Sequence, residues 1–327
     1  MRGSQEIYFI VNEGARTGKA AGVWGKVREL LTAKEVTYKA YQTKYKGHAT
    51  KLAQKISSLP QDVIYLIVLG GDGTVNEVLN GITDFDKVRF GVIPTGSGND
   101  FGRGLGLPKD AGQALEQILL CIERECREGI DPVRIDLGEV SWNGCDKPRI
   151  FGISAGVGLD AIVCKKALQS GLKKFLNRLH LGKLTYLILT VETLFSMDTA
   201  SLHFTYYQEQ EKKTVEEDKV IFAAVMNLRA EGGGVPMAPH ASCIDGNLSV
   251  CSAYGIPKWR TFFCLPFLVA ARHEHIRGFC MENAQQLELT ISKPMVLHAD
   301  GEYLGDVTQA QFRCLRGRLR LLRESLI

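Results

Sequence analysis

The feature that most constrains the fold is a glycine-rich turn between a buried strand and the start of a helix. Residues 65–69 are continuously apolar, and the turn after them reads Gly70-Gly71-Asp72-Gly73-Thr74. Such an apolar run is typical of a strand in a parallel sheet covered by helices on both faces, where ligands bind at the carboxyl ends. Glycine lets a phosphate approach the backbone, and the first amides of the next helix carry partial positive charge. The segment therefore predicts a phosphate-binding loop.

Polar side chains in and after this turn extend the prediction. Asp72, Thr74 and Asn76 supply one carboxylate and two uncharged polar groups. A carboxylate beside a phosphate is expected mainly where a cation lies between them, so Asp72 indicates Mg²⁺ together with a nucleotide. The alternative is an ordinary strand-to-helix turn in which Asp or Thr caps the helix.

A second glycine-rich turn follows the next predicted strand. Residues 89–94 form a short and largely apolar segment, and Thr95-Gly96-Ser97-Gly98-Asn99 comes directly after it. Neighbouring parallel strands joined by right-handed crossovers present their loops at the same edge of the sheet. We therefore expect both turns to line one nucleotide site.

These two segments resemble the signature motifs of the diacylglycerol kinase catalytic-domain family, which includes bacterial lipid kinases and sphingosine kinases. The matching segments are Gly-Gly-Asp-Gly-Thr-Val-Asn-Glu-Val-Leu-Asn-Gly at 70–81 and Pro-Thr-Gly-Ser-Gly-Asn-Asp-Phe at 94–101. The resemblance implies a lipid kinase that uses ATP and Mg²⁺, most simply a diacylglycerol kinase that makes phosphatidic acid. It implies ATP binding by residues of both turns and of two segments nearer the N-terminus: Asn12, Gly18, Thr43, Gly70, Gly71, Asp72, Gly73, Thr74, Asn76, Glu77, Thr95, Gly96, Ser97 and Asn99.

The two segments nearer the N-terminus match the family with some departures. Residues 12–19 resemble its Asn-Pro-containing loop, with Glu13 in place of the proline and Thr17 in place of a serine. Residues 43–49 are similar to its Thr-x-x-x-Gly-His-Ala segment, whose threonine lies near the nucleotide. The resemblance thereby adds Asn12, Gly18 and Thr43 to the expected nucleotide site.

A segment of the C-terminal half resembles the stretch that carries a structural Mg²⁺ in bacterial members of the family. By position, Asp245 would supply a carboxylate, and Ser242 and Asn247 would supply carbonyl oxygens. Oxygen ligands completed by water suit a hard cation. Without the resemblance, Asp245-Gly246 reads equally well as a hairpin turn between two strands.

Residues 296–302 match the family's Asp-Gly-Glu motif, where the catalytic base is placed. A phosphoryl-transfer enzyme needs one carboxylate that orients or deprotonates the attacking hydroxyl and others that hold metal, and Asp300 and Glu302 would serve these needs. Alternation along a strand would direct both side chains to one face. An isolated Asp-Gly-Glu is usually a plain turn. Residues 158–161 also resemble a family segment, Gly-x-Asp-Ala, which would place Asp160 near the active site.

The change of pattern along the chain predicts two domains, so the fold class is α/β plus β. Strands alternate with helical stretches over residues 1–133, which predicts a parallel α/β domain, NAD-kinase-like by the resemblance. Residues 134–315 are rich in β segments and predict an antiparallel β-sandwich with a helical insertion at 161–197. The resemblance implies that residues 316–327 return to the first domain. The polar stretch 208–218 predicts an exposed hairpin loop.

Composition and segment lengths bear on location and partners. The net charge of +4 over 327 residues is modest and does not indicate nucleic acid. No segment reaches the roughly 20 apolar residues that a membrane-spanning helix needs. Because the N-terminus lacks a signal-peptide pattern, we expect a cytoplasmic protein that meets its lipid peripherally at the inner face of the membrane. A homodimer is compatible with the sequence.

Two segments are candidates for contact with lipid. Basic residues concentrated between 165 and 183 would dock on anionic headgroups or form an ordinary solvated helix face. The most apolar run, residues 262–271, is broken by Pro266 and predicts either a buried helix or part of a lipid-facing cleft.

Two other functions stay open on the sequence alone. NAD kinases share Gly-Gly-Asp-Gly-Thr, although their second motif differs from the one at 94–100. The second is a catalytically idle regulator that binds nucleotide or lipid, which the altered loop at 12–19 keeps open. The acidic residues at 72, 300 and 302 argue against it. Within the lipid kinase hypothesis, diacylglycerol, a sphingoid base, phosphatidylglycerol and an undecaprenol-like alcohol all remain candidate acceptors.

Overall fold

A computed structural model of the chain describes residues 6–14, 19–169 and 182–325. The chain forms two compact units. The first consists of Met1–Leu137 and Arg316–Ile327, and the second consists of Gly138–Leu315. Both divisions fall inside strands, one within Val133–Trp142 and the other within Glu302–Leu321. Each unit is described by itself below.

The first unit contains a parallel sheet. Its strands are β1 (Ile7–Val11), β2 (Tyr38–Gln42), β3 (Ile64–Gly70), β4 (Val88–Pro94) and the last part of β13 (Glu302–Leu321). They lie in the order β2-β1-β3-β4-β13, and every neighbouring pair is parallel. Every residue of β1 and β3 is buried, as continuous apolar runs predict.

Five helices connect these strands. They are α1 (Lys19–Ala33), α2 (His48–Ser57), α3 (Asp72–Leu79), α4 (Asp100–Gly104) and α5 (Ala111–Glu128). Helix α5 begins where the Asp110 carboxylate accepts the N–H of Gln113 and ends at Gly129, which has φ 70°. Its apolar face packs in one core with side chains of β1 and β3. The sequence pattern of alternating strands and helices is therefore confirmed for this part of the chain.

The second unit is built from antiparallel strands. They are β5 (Val133–Trp142), β6 (Arg149–Phe151), β7 (Ser154–Gly158), β8 (Ala200–Gln208), β9 (Glu211–Met226), β10 (Leu248–Tyr254), β11 (Phe279–Ala284), β12 (Gln286–Ala299) and the first part of β13. The order is β11-β10-β9-β7-β12-β13, and β8 pairs with β9 and β12. The paired strands of this unit run antiparallel, as predicted.

Within the described residues of this unit, three α-helices accompany the strands: α6 (Leu159–Gln169), α7 (Gly182–Ser196) and α8 (Lys258–Val269). Each contributes side chains to a core shared with β9, including Val163, Leu194 and Leu268. A separate core lies among β7, β8, β9 and β12. Within the described residues, no helix is long and apolar enough to cross a membrane.

The stretch 208–218 belongs to an exposed hairpin, as predicted, but the prediction that it forms a loop is wrong. Strand β9 already begins at Glu211, and β8 and β9 pair closely up to Gln208 and Glu211. The turn is only two residues long, which Glu209 permits by adopting φ 52°. The first half of β9 is mostly exposed, so it lacks the apolar alternation that marks a half-buried strand.

Gly81 allows α2 and α3 to pack closely, and its replacement tests this packing. A Cβ at Gly81 would overlap the Thr50 carbonyl oxygen and lie 2.8 Å from the Ala53 Cβ. We expect Gly81→Ala to lower the free energy of unfolding by about 1–3 kcal/mol, measured by urea denaturation. The control is Gly25→Ala within α1, where a Cβ meets nothing within 4 Å; it should raise stability by about 0.5–1 kcal/mol. Equal effects would contradict the close packing.

Candidate active site

The two glycine-rich turns of the first unit lie against each other. Strands β3 and β4 pair in parallel with Gly70 opposite Pro94, and the Thr95 N–H donates to the Gly70 carbonyl at 2.9 Å. A Cβ built on Gly71 would lie 2.9 Å from the Gly96 Cα, and one built on Gly96 would lie 2.6 Å from the Gly71 Cα. Only glycine fits at both positions, so the backbones of the two loops lie in direct contact at the sheet edge.

Asp72 connects the first loop to the second. Its carboxylate accepts the N–H groups of Asp100 and Phe101, both at 3.1 Å, at the start of α4. Burial raises the pKa of the Asp72 carboxyl above its ordinary value, and the Phe101 N–H opposes this rise. The contact gives a reason for a carboxylate in this loop that requires no cation.

Residues at the carboxyl ends of β1 and β2 join the same edge. The Asn12 side-chain amide donates to the Thr74 hydroxyl at 2.9 Å, which links β1 to the first loop. The Thr43 N–H donates to the Val11 carbonyl at 2.9 Å, so Thr43 follows directly along this edge. Gly18, also predicted to bind ATP, lies outside the described residues.

Two predicted ATP-binding residues on α3 make structural contacts. The Glu77 carboxylate accepts the N–H groups of Gly47 and Ala49 at 2.8 and 3.2 Å and thereby caps α2. Asn76 is fully buried; the Asn80 side-chain amide donates to its backbone carbonyl at 2.9 Å and to its side-chain oxygen at 3.3 Å. These contacts give both side chains structural partners, and their ATP-binding role stays a prediction.

The edge nevertheless keeps unused hydrogen-bonding capacity. Among the described residues, the Thr95 hydroxyl and the Asn99 side-chain carbonyl are buried oxygen atoms without a hydrogen-bond partner. Helix α3 begins after Gly71 with no side-chain cap, and Gly73 and Ser97 are exposed on the two loops. Uncapped amides, glycine backbone and the Thr95 hydroxyl suit an anionic ligand such as a nucleotide phosphate, whereas the Asn99 carbonyl oxygen can only accept a hydrogen bond.

The second unit contains the Asp-Gly-Glu motif as a tight turn between β12 and β13. Asp300 and Gly301 have φ 47° and 78°, and Ala299 pairs with Glu302 across the turn. The expectation that Asp300 and Glu302 share a strand face is wrong, because Asp300 belongs to the turn and only Glu302 belongs to a strand.

The Asp300 carboxylate holds the neighbouring backbone. One oxygen accepts the N–H groups of Ile153 and Ser154 at 2.8 and 3.1 Å, and the other accepts the Gly152 N–H at 2.9 Å. The Asp300 N–H donates in return to the Ser154 carbonyl at 2.8 Å. Asp300 thus anchors the turn against the start of β7. Glu302, the first residue of β13, is half-buried.

A buried polar network lies next to this turn. His298 is 1% exposed, and its Nε2 lies 2.8 Å from an Asp160 carboxylate oxygen. The Ser154 hydroxyl donates to Glu231, which is also buried. Ser154 therefore connects Glu231 to Asp300, while His298 precedes the turn on β12. A Cβ at Gly156 on β7 would lie 2.6 Å from the Ala223 carbonyl oxygen on β9 and 3.0 Å from Asp160 Oδ2, so the close strand pairing requires the glycine.

The network perturbs the protonation of its members. Burial would lower the pKa of His298, but the Asp160 carboxylate outweighs it and raises the pKa to about 9. Burial raises the pKa of Glu231 to about 7. The Gly301 N lies 3.4 Å from His298 Nδ1, a long contact that a protonated ring cannot accept. We therefore regard the ion pair with Asp160 as the interaction that fixes the ring.

The same network has donors of metal-ligand type. One ligand atom from each of Asp160, Glu231 and His298 lies within 4.8 Å of the others. The contact between His298 and Asp160 uses the ring Nε2 and Asp160 Oδ2. Asp160 Oδ1 is also buried and has no hydrogen-bond partner among the described residues. Hydrogen bonding and ion pairing account for the remaining contacts of the cluster without a metal.

The predicted structural metal site lies in the loop before β10. Asp245 is exposed, and its Oδ1 accepts the Asn247 N–H at 2.9 Å. The Asn247 side-chain oxygen accepts from Gln208 at 3.0 Å, and Ser242 is half-buried. One exposed carboxylate among loop carbonyls suits a hard cation. This loop is part of a long connection between β9 and β10, so Asp245-Gly246 is not a tight hairpin turn.

Sequence reasoning missed three members of the buried network. Ser154 and Glu231 were not predicted, and His298 was seen only within the matching segment 296–302. A signal was present, because His298 stands between apolar residues of a strand and Glu231 precedes three consecutive glycines. A titratable residue in an apolar strand is either paired or functional.

Comparison with known proteins agrees with the motifs. A family profile described as "Diacylglycerol kinase catalytic domain" matches residues 6–129, and one described as "YegS C-terminal NAD kinase beta sandwich-like domain" matches residues 154–323. "Putative lipid kinase YtlR" of Bacillus subtilis (strain 168) is 30% identical over 91% of this chain and 93% of its own length.

Two further proteins are similar over most of their length. A diacylglycerol kinase of Staphylococcus carnosus (strain TM300) is 30% identical over 82% of this chain and 79% of its own. A solved structure described as "a putative diacylglycerol kinase from Bacillus anthracis str. Sterne" superposes with a TM-score of 0.70 at 22% identity, covering 98% of this chain and 97% of that one. The structural likeness supports the fold.

The anchoring role of Asp300 is testable by substitution. Asp300→Asn keeps a side chain that tolerates φ 47° but loses one acceptor and the negative charge. We expect it to lower the free energy of unfolding by about 1–3 kcal/mol in urea denaturation. Asp245→Asn is the control, since its carboxylate accepts one N–H on an exposed loop. Unchanged stability of Asp300→Asn would contradict the anchoring role.

The ion pair of His298 predicts a pH dependence of stability. Its folded-state pKa of about 9 exceeds the ordinary 6.5, so the stabilisation is complete below pH 6.5 and is lost as the pH rises through 9. We expect the free energy of unfolding to fall by on the order of 1–3 kcal/mol over this interval, and to fall less in His298→Gln. The raised pKa of Glu231 acts in the same direction at lower pH, between 4.5 and 7. Identical pH profiles of the two proteins would contradict the ion pair.

Proposed function

This chain belongs to the diacylglycerol kinase catalytic-domain family, and on that premise we propose that it transfers the γ-phosphate of ATP to a lipid hydroxyl, most simply that of diacylglycerol. Membership makes it a kinase of the lipid kinase type. The observation that carries the proposal for this chain is the close approach of Gly71 and Gly96, which joins two glycine loops at the carboxyl edge of a parallel sheet.

The nucleotide end of the reaction is assigned to the first unit. The loop backbone and the uncapped start of α3 would hold the phosphates, and the unpaired Thr95 and Asn99 oxygens would accept or donate hydrogen bonds to the nucleotide. Asp72 would keep the second loop in place through α4. The parallel order β2-β1-β3-β4 supports the further proposal that this unit is NAD-kinase-like.

We assign Mg²⁺ as the metal that accompanies ATP, which when bound would offset negative charge on the phosphates. The exposed carboxylate of Asp245, with the carbonyl groups of Ser242 and Asn247, would hold a second, structural Mg²⁺. The donor set fits, because hard cations take carboxylate and carbonyl oxygens together with water.

The acceptor end is assigned to the second unit. Glu302 would take the proton of the lipid hydroxyl as that oxygen attacks the γ-phosphorus, and ADP would leave. Asp300 would hold Glu302 in position by fixing the turn that precedes it. A long-chain diacylglycerol resides in a bilayer, so we propose that the protein works peripherally at a membrane surface.

A transfer assay tests the proposal. Purified protein is incubated with labelled ATP, Mg²⁺ and mixed micelles of neutral lipids, with NAD in a separate reaction, and the products are separated by chromatography. We expect label in phosphatidic acid. Label in another lipid would change the acceptor and keep the reaction type, whereas label in NADP would contradict the lipid assignment. ATP binding without any transfer would favour a regulator.

The base is tested by Glu302→Gln. We expect the turnover number to fall by about 10²–10⁴-fold, because the amide cannot accept the hydroxyl proton. The urea midpoint and the dissociation constant for ATP should stay close to those of the native chain, which separates this variant from Asp300→Asn. Turnover within threefold of the native value would, by the same reasoning, contradict the role of Glu302 as base.

A further inference from the structure

Helix α8 of the second unit presents large apolar side chains to solvent. Trp259 is 63% exposed, Phe263 is 62% exposed and Phe267 is 51% exposed. The sequence prediction for 262–271 was a buried helix or a lipid-facing cleft, and the structure contradicts a buried helix. An exposed aromatic patch of this kind on a folded unit marks an interaction surface.

The exposed positions form one continuous helix face. Trp259, Phe262, Phe263, Pro266 and Phe267 are exposed and recur at the helical spacing of three or four residues. The opposite positions, Thr261, Cys264 and Leu268, are buried against the unit. The helix thus carries apolar side chains on its outer face as well, whereas the outer face of a surface helix is normally polar.

The aromatic rings on this face are in mutual contact. The ring centroids of Phe262 and Phe263 are 5.4 Å apart, and those of Trp259 and Phe263 are 6.5 Å apart, both pairs edge to face. Phe195, at the end of α7, is 52% exposed, and its carbonyl accepts from Lys258 at 3.2 Å. The patch therefore extends from α8 onto the end of α7.

Basic residues flank α8 on both sides in the sequence. Lys258 and Arg260 lie at the start of α8, and Arg272 and Arg277 follow its end; the three arginines are exposed. The nearby acidic side chain of Glu274 is contacted by His240 and His275 at 3.4 and 3.6 Å. Aromatic side chains flanked by basic ones match the interfacial region of an anionic bilayer, where rings enter the headgroup layer and cations meet lipid phosphates.

We propose that the exposed face of α8, with Phe195, docks this protein on an anionic lipid bilayer. The proposal rests on the proposed function, because a kinase acting on a bilayer lipid must reach the membrane surface. The aromatic face supplies apolar insertion, and the flanking Lys258, Arg260, Arg272 and Arg277 supply attraction to headgroups.

The basic segment 165–183 is the other candidate for this role. Lys165 pairs with Asp306 at 3.2 Å and Lys166 pairs with Glu192 at 3.1 Å, so these two charges are already matched within the unit. Lys173, Lys174, Arg178 and His180 lie outside the described residues. Within the described part of the chain, α8 is therefore the stronger docking surface.

Tryptophan fluorescence gives a direct test. The chain has three tryptophans, of which Trp24 is 3% exposed, Trp142 is half-buried and Trp259 is exposed. The full chain is mixed, without ATP, with vesicles of phosphatidylglycerol, phosphatidylcholine and a few per cent diacylglycerol, with brominated acyl chains as quencher. We expect bromine quenching of the native chain and little quenching of Trp259→Phe, which still binds the vesicles in sedimentation.

A matched pair of variants tests the face itself. Phe262→Ser/Phe263→Ser/Phe267→Ser should weaken vesicle binding by about tenfold or more, since three inserted rings are lost. Leu120→Ser/Ile130→Ser removes side chains that are 43% and 52% exposed in the first unit, and should leave vesicle binding unchanged. Phosphorylation of a water-soluble short-chain diacylglycerol should be equal in both variants, which shows that they are folded.

Each outcome bears on the proposal. If the native chain phosphorylates the diacylglycerol in these vesicles but its tryptophan emission is not quenched by the brominated chains, the proposal is overturned. Equal vesicle binding by the two variants would overturn it as well. A native dimer that the triple variant makes monomeric in analytical ultracentrifugation, with no quenching by vesicles, would assign the face to a second copy and also overturn it. Quenching without phosphate transfer to any lipid would uphold the docking surface and contradict the proposed function.

Discussion

The register of two neighbouring strands is the constraint on which the candidate nucleotide site depends. Parallel pairing sets Gly70 opposite Pro94, and the chains after these residues then converge until the Cα atoms of Gly71 and Gly96 exclude any side chain between them. The Asp72 carboxylate reaches the start of α4 only because this approach is so close. A single backbone contact thereby positions both loops, the short helix and the polar groups around them.

The second unit uses charge instead of glycine to fix its loop. Three backbone N–H groups donate to the Asp300 carboxylate. One of them belongs to Ser154, whose hydroxyl donates to Glu231. His298 and Asp160 form a second buried pair beside it. Buried polar groups are costly unless they are paired, so these connected contacts favour one arrangement of the turn over its alternatives.

Local signals in the sequence were sufficient for the glycine loops and insufficient for the network. Each loop can be predicted because a strand, a glycine cluster and a helix start are adjacent in the chain. The parallel topology then brings the two loops together. Asp160, Glu231 and His298 are far apart in the chain, and only the antiparallel pairing of the second unit brings them together. Asp300 shows the same limit, because its partners precede it by almost 150 residues and its role as an anchor depends on them.

The outward face of α8 was unpredictable for a different reason. Residues 262–271 are apolar almost throughout, so the pattern predicts a helix or strand without showing which side is covered. Tertiary packing buries Cys264 and Leu268, and the aromatic residues on the opposite side of the helix therefore face solvent. Composition alone would have placed all of them in a core.

The path of β13 has a consequence for how the chain is made. This strand begins in the second unit and ends beside β4, where Arg320 and Leu321 pair with Arg89 and Phe90. On the ribosome, the N-terminal residues emerge long before the strand that covers β4, so this sheet carries an open edge throughout synthesis of the second unit. The parallel sheet of the first unit therefore gains its β13 edge only after the whole of the second unit has been synthesised.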